Sequence, residues 1–387
     1  MLADRHFTIT PQPTVWFGVG QSERIGEAVR STGQHRALLV TDATLRRTGI
    51  VDSLRAVLER DDVDVAVFDD VVPNPSTHTL DAGADALRRF GDAAVVAIGG
   101  GSSLDVAKGI AVAGVNEGSG RDFDYRNEQP VTARPVIAVP TTAGTGSETN
   151  AFGVIDDPLT GEKFYVGHSS TLPRVAILDP RLHVGLPARA TAATGIDALA
   201  HAIECMSSAN HNPYADSLAF QASEMIATWL PAAVENGNDL EARAQMALAS
   251  HLAGAAFAAG TGLGLGHGIA HAVSARCGAI HGDVLGVVLP AIMRYNLDVC
   301  EPAYARLAAA LGFTEVHRSS RMAAQAAIDA VSTLSQRVGV TGHLSQFGCT
   351  LELLDGIALA AQRDEVTLNA PRTPTLSDIH TILEEVL

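Results

Sequence analysis

Histidines and an aspartate recur in this sequence at the spacing of one helical turn. Asp197 and His201 stand four apart in Gly195-Ile196-Asp197-Ala198-Leu199-Ala200-His201-Ala202-Ile203-Glu204, and His267 and His271 do so in Gly264-Leu265-Gly266-His267-Gly268-Ile269-Ala270-His271. Residues four apart project from one helix face, so each pair can offer two atoms to one ion. His281, in Ile280-His281-Gly282-Asp283, is a fifth candidate. A lone histidine is ordinarily a buried, hydrogen-bonded side chain, and the Asp197/His201 pair alone leaves both readings level. Three polar points on Ala-, Leu- and Gly-rich segments favour an ion, because burying so many ionisable groups without one demands a separate partner for each. Imidazoles with one carboxylate and no thiolate suit Zn²⁺, Fe²⁺, Co²⁺ or Ni²⁺ and do not choose among them. The neighbouring Cys205 and Met206 read as core packing.

The first half carries a different chemistry. Gly99-Gly100-Gly101-Ser102-Ser103-Leu104-Asp105-Val106-Ala107-Lys108 follows an apolar strand and leads into a helix. Residues without side chains admit a ligand close to the backbone, and free N–H groups at a helix start suit a pyrophosphate. The spacing is not G-x-G-x-x-G, so the usual dinucleotide fingerprint is absent. A second small-residue loop, Pro140 to Glu148, follows another apolar strand and offers the hydroxyls of Thr141 and Thr142. Asp42 ends the strand Arg36 to Thr41, where a carboxylate can accept from a ribose 2′-OH and repel a 2′-phosphate, favouring NAD over NADP. Capping the following turn is an equal use for Asp42.

Elements that would position these residues are legible from periodicity. Strands are expected at 35–41, 63–68, 93–98 and 135–139, with helices at 50–60 and 79–90, a βαβ rhythm that gives a parallel sheet. Helical periods follow at 194–206, 213–231, 240–259, 302–311, 319–337 and 376–387. The expectation is an α/β nucleotide-binding domain over 1–185 and an all-helical domain over 186–387, packed around one cleft, with Leu186-Pro187 at the boundary. At 387 residues the chain is long enough for two cores. A net charge of −16 with no basic tract argues against nucleic acid and anionic membranes as partners. Four scattered cysteines without a C-x-x-C pair, and a start without the apolar stretch of a signal peptide, point to the cytoplasm.

Together these motifs make the chain resemble the iron-containing (group III) alcohol dehydrogenases over nearly its whole length. The likeness rests on Val40-Thr41-Asp42, Pro73-Asn74-Pro75, Gly99 to Ser102 with Asp105 and Lys108, and Pro140 to Glu148. It continues through Gly195 to Glu204, Asn212-Pro213, and Gly264 to Gly282. The resemblance implies a dehydroquinate synthase-like fold, an α/β dinucleotide-binding domain followed by an all-α domain, with NAD(H) and one divalent ion in the cleft. It implies Asp197, His201, His267 and His281 as ligands, with Fe²⁺ first and Zn²⁺ or Ni²⁺ as alternatives. It places His271 near the nicotinamide as a catalytic residue outside the ligand set. Around the dinucleotide it places Asp42, Asn74, Gly99, Gly100, Gly101, Ser102, Thr141, Thr142, Phe152, Val154, Lys163 and Leu182. Without the resemblance, Asn74 reads as a turn residue between prolines.

The stretch from His271 to His281 departs from the family, lacking its Pro-Leu-Gly type run and the proline before the last ligand. Arg276 falls where relatives more often carry an aromatic or neutral side chain, and its guanidinium could clamp a carboxylate or phosphonate; the alternative is a surface arginine paired with Asp283. The expected activity is a metal-dependent, NAD(H)-linked alcohol dehydrogenase or aldehyde reductase acting on a small alcohol or aldehyde, with Arg276 leaving room for an anionic, carboxylated or phosphonylated one, in a homodimer or larger assembly. Alternatives on the same scaffold are a synthase-type lyase that uses NAD transiently, a hydroxyacid-oxoacid transhydrogenase, and a silent NAD- or metal-binding regulator.

Overall fold

The structure is a computed structural model that describes residues 6–126, 131–313 and 319–387. The chain divides into two compact units: Gln12–Val184, and Gly185–Leu387 together with the stretch ending at Pro11. That N-terminal stretch, expected with the first domain, groups with the second, where Thr10 Oγ1 donates to the Ala258 carbonyl at 3.2 Å.

The described residues of the first unit form eight strands, β1 (Thr14–Phe17), β2 (Arg36–Asp42), β3 (Asp64–Val71), β4 (Ala94–Gly99), β5 (Val136–Pro140), β6 (Phe152–Asp157), β7 (Glu162–Gly167) and β8 (Val175–Leu178). Its helices are α1 (Ile25–Ser31), α2 (Ala43–Arg47), α3 (Ile50–Arg60), α4 (Thr77–Phe90) and α5 (Gly101–Ala113). Six strands form a parallel sheet in the order β1-β8-β5-β4-β2-β3, while β6 and β7 pair antiparallel as a separate hairpin. The central strands β4, β5 and β8 are buried throughout and read as apolar runs because both faces are covered. Leu38, Val40, Val95, Ala97, Val136 and Ala138 pack with α4 and α5, and Ala37, Leu39, Val96, Ile98, Ile137 and Val139 pack with α1 and α3. Each buried Val, Leu or Ile contributes roughly 1.5–3 kcal/mol. From β3 at one edge the chain returns to β4 on the other side of β2, so the carboxyl ends of β2 and β4 flank a topological switch point, where open α/β sheets bind ligands.

The second unit is helical: α6 (Ala188–Ser207), α7 (Pro213–Glu235), α8 (Leu240–Ala256), α9 (Leu265–Cys277), α10 (His281–Ala310), α11 (Ser320–Arg337), α12 (Leu351–Arg363) and α13 (Leu376–Val386). α6 is buried on every side from Gly195 to Ser207, so its polar residues must find partners inside. α10 runs through Pro290 and Pro302, far beyond the 302–311 expected from periodicity. α12 was not expected. Among the described residues no single helix is long and apolar enough to cross a membrane.

Candidate functional site

In the helical unit, α6 presents Asp197 and His201, α9 presents His267 and His271, and His281 is the first residue of α10. Asp197 Oδ1 stands 3.7 Å from His201 Nε2, 3.5 Å from His267 Nε2 and 3.7 Å from His281 Nε2. These separations are long for hydrogen bonds and near the ~3.3 Å edge of a tetrahedron of N and O ligands ~2.0–2.1 Å from an ion. Ligand atoms of Asp197, His267 and His281 lie within 4.8 Å of one another. His201 joins them through Asp197 and stacks on His267 with ring centroids 4.6 Å apart.

Asp197 Oδ1 and His267 Nε2 are buried without a hydrogen-bond partner among the described residues. Each such orphan costs roughly 1–3 kcal/mol, and a cation between them would satisfy both. The residues present therefore fit an ion. Burial alone would raise the Asp197 carboxyl; the imidazoles of His201, His267 and His281 outweigh it and hold it well below the usual carboxylate range. The side chain of His281 keeps 28% of its surface, leaving the centre open on that side, as a site that admits a substrate requires. His271 lies beside this group, its ring stacked on that of His281 at 5.2 Å and its Nδ1 2.8 Å from Asp364 Oδ2.

In the α/β unit the two small-residue loops lie side by side. Gly99 and Pro140 are in register, and Thr141 N donates to the Gly99 carbonyl at 2.9 Å. A Cβ on Gly101 would stand 2.6 Å from Thr145 Cγ2, so only glycine permits this approach. Gly100 caps α5 without a side-chain bond, and Ser102 lies in the first turn. Asp42 caps α2, its Oδ1 accepting from Thr44 N at 2.8 Å and Leu45 N at 2.9 Å.

The β6–β7 hairpin is strapped to α5. Val154 N donates to Asp105 Oδ2 at 3.0 Å, and the Lys108 ammonium donates to the Phe152 carbonyl at 2.6 Å, Ser147 Oγ at 2.7 Å and Asn150 Oδ1 at 2.9 Å. Lys108 is fully buried, and burial lowers its pKa to about 8 against the opposing charge of Asp105. Lys163 Nζ pairs with Asp156 Oδ1 at 2.7 Å and donates to Asn74 Oδ1 at 3.2 Å; Asn74 itself adopts a left-handed φ of 49°. Leu182 is partly buried and packs against the cluster under α1 and α3.

Arg276 occupies the last turn of α9 and is exposed, its Nε 3.4 Å from where a Cβ on Gly356 of α12 would lie. Among the described residues Arg276 forms no ion pair with Asp283, whose Oδ2 accepts instead from Arg189 at 2.7 Å. Sequence reasoning assigned no task to Lys108, Asp105 or Glu204, although all three lay within its motifs, and it missed Asp364 altogether. The signal for the first three was polarity on otherwise buried helices; Asp364 reads as an ordinary cap of the turn it starts.

Residues 12–180 match the family model for iron-containing alcohol dehydrogenase, and residues 191–387 match that for the C-terminal part of the Fe-containing alcohol dehydrogenase family. The chain is 37% identical over 384 residues to the NAD-dependent methanol dehydrogenase of Bacillus methanolicus, spanning 99% of this chain and 100% of that one. It superposes on a crystal structure of 1,3-propanediol oxidoreductase with a TM-score of 0.95 and 36% identity, covering 99% and 100% of the two chains. Sulfoacetaldehyde reductase from Bifidobacterium kashiwanohense, solved in complex with NAD⁺, superposes with a TM-score of 0.87 and 30% identity over 99% of each chain. With both halves matched and the fold reproduced end to end, the chain belongs to the iron-containing alcohol dehydrogenase family and is an oxidoreductase.

Proposed function

We propose that this enzyme interconverts a small alcohol and its aldehyde using NAD(H) and one divalent ion, Fe²⁺ in the first instance with Zn²⁺ or Ni²⁺ as alternatives. The observation that carries the reading is the convergence of three imidazole Nε2 atoms on one buried, unbonded carboxylate oxygen, Asp197 Oδ1. Asp197, His201, His267 and His281 would hold the ion. When bound, the ion supplies Lewis-acid polarisation of the substrate oxygen, and the nicotinamide supplies or accepts hydride.

The chain's own residues bind, orient and move a proton. Gly99 to Ser102, Thr141 and Thr142 offer backbone and hydroxyl donors to the dinucleotide phosphates. Asp42 keeps Oδ2 for a ribose hydroxyl while Oδ1 caps α2. Asn74, Phe152, Val154, Lys163 and Leu182 complete the proposed dinucleotide set. In His271, Nδ1–H donates to the Asp364 carboxylate, so Nε2 is the nitrogen that gives and receives the proton of the reaction.

The substrate proposed is anionic, carboxylated, phosphonylated or sulfonated, with Arg276 as its clamp. The likeness to a sulfoacetaldehyde reductase and the exposed guanidinium support this. Two further proposals are a homodimer or larger assembly, and a cytoplasmic location, which the free thiols of all four cysteines suit. The test is NADH consumption across neutral and anionic aldehydes with Fe²⁺ or Zn²⁺ restored. Preference for anionic members that disappears in Arg276→Ala supports the clamp, indifference to charge removes it, and failure to consume NADH with any member removes the dehydrogenase reading.

A further inference from the structure

Glu204 lies on α6 three residues after His201 and is 5% exposed. It has no place among the four ligands, yet both of its oxygens are turned to the segment that carries one of them. Its Oε1 accepts from Gly266 N at 2.6 Å, and its Oε2 accepts from Gly264 N at 2.8 Å and meets His267 Nδ1 at 2.6 Å. A Cβ on Gly266 would stand 2.7 Å from Oε1, so the glycines that open α9 are what let this carboxylate in.

Backbone N–H groups can only donate, so both oxygens of Glu204 act as acceptors here. An ionised carboxylate has no proton to give, so at 2.6 Å the third neighbour donates as well, which places a hydrogen on His267 Nδ1. The lone pair of that ring is then on Nε2, the orphaned nitrogen that faces Asp197 Oδ1 at 3.5 Å. We infer that Glu204 is a positioning residue of the metal centre: anchored by Gly264 N and Gly266 N, it fixes the tautomer and orientation of His267 so that Nε2 is the nitrogen offered to the ion. Because Glu204 shares α6 with Asp197 and His201, the same contact sets the spacing between those two residues and the ligand on α9. A histidine ligand whose second nitrogen is tied to a carboxylate is both better aimed and a stronger donor.

The inference rests on the metal-centre reading above, and its test separates the two. Co²⁺ is titrated into the metal-stripped full chain and followed by its visible absorption, in wild type, Glu204→Gln, Gly266→Ala and His267→Ala. A glutamine has one acceptor oxygen for three donors, so whichever way its amide turns, an N–H confronts another donor. Glu204→Gln is expected to weaken Co²⁺ about tenfold to a hundredfold and alter its spectrum, while NADH binding, measured by fluorescence, stays at the wild-type value. Gly266→Ala, which displaces the carboxylate without removing it, is expected to act in the same direction.

Wild-type affinity and spectrum in Glu204→Gln, with His267→Ala impaired, would overturn the role of Glu204 and leave the metal centre standing. A wild type that takes up no Co²⁺ would overturn the metal centre itself and the inference with it. Should Glu204→Gln fail to fold, ¹⁵N NMR of the Zn²⁺-loaded wild type decides: a protonated Nδ1 on His267 is expected, and an ion on Nδ1 overturns the inference.

Discussion

In the α/β unit the surfaces proposed to meet a ligand are largely backbone: the glycines after β4, the amides opening α5, the loop that follows β5. In the helical unit they are side chains, three imidazoles around one carboxylate, drawn from three helices. The first kind of site depends on what is missing, a Cβ that would fill the space between Gly101 and Thr145. The second depends on four atoms being present and correctly turned. A backbone site should therefore fail through added bulk, and a side-chain site through removal of single atoms, each without disturbing the other.

The largest expected effect is from His267→Ala, which removes one of four ligands. Metal content and turnover should fall together, by about a thousandfold in affinity, with NADH binding unchanged. A metal-free variant that retained full activity would end the side-chain account of this centre. Next, Gly101→Ala drives a methyl into Thr145, whose branched side chain has little room to turn, and should weaken NADH about tenfold while Co²⁺ uptake is untouched. Fluorescence titration beside Co²⁺ absorption reads both at once; loss of both would dissolve the contrast between the units.

Asp364→Ala frees Nδ1 of His271 and should lower kcat about tenfold and move its pH profile, with metal content intact. An unmoved profile would show that Asp364 does not act through the imidazole. The smallest effect concerns Lys108, whose folded-state pKa of about 8 lies below its ordinary 10.5. Between those values the unfolded chain holds more protons than the folded one, so Lys108 makes stability rise with pH, by up to about 1.4 kcal/mol per unit. Urea unfolding at pH 8 and pH 9 should show that rise shrinking in Lys108→Met relative to wild type; equal slopes would mean the ammonium is not held at a cost.

The legible parts of this molecule are those where one rule acts locally. The strands β4 and β5 are apolar runs ended by glycine and proline, β2 and β3 carry apolar stretches at their centres, and α3 and α4 keep a clear three-and-four spacing, so their positions follow from periodicity. The hairpin β6–β7 escaped because what holds it in place is tertiary, the Asp105 and Lys108 side chains of α5, 49 and 44 residues before the groups they bind. α10 was cut short because Pro290 and Pro302 are breakers by local preference, a preference that burial on the long shared face with α11 overrides. α12 was legible in the spacing of Leu354, Ile357, Ala358 and Ala361 and was passed over.

At the site, types and helical spacing brought the ligand candidates forward, because turn geometry puts i and i+4 together whatever the rest of the chain does. What spacing cannot carry is which carboxylate stands behind each imidazole. Glu204 and His267 are 63 residues apart, and Asp364 and His271 are 93 apart. Only the packing of α6, α9 and α12 makes them neighbours.

Those separations bear on the order in which the protein can be made. Chains emerge from the ribosome N-terminus first, and domains fold as units once complete. The α/β unit ends at Val184, so every residue proposed for the dinucleotide is available before the helical unit, which runs from Gly185, has been synthesised. The stretch ending at Pro11 must wait, since Ala258, which Thr10 bonds, comes almost 250 residues later. His271 waits in its turn for Asp364, which follows it by 93 residues. A nascent chain of this enzyme would thus be able to recognise a nucleotide well before it could order an ion, and its N-terminal stretch would remain undocked throughout that interval.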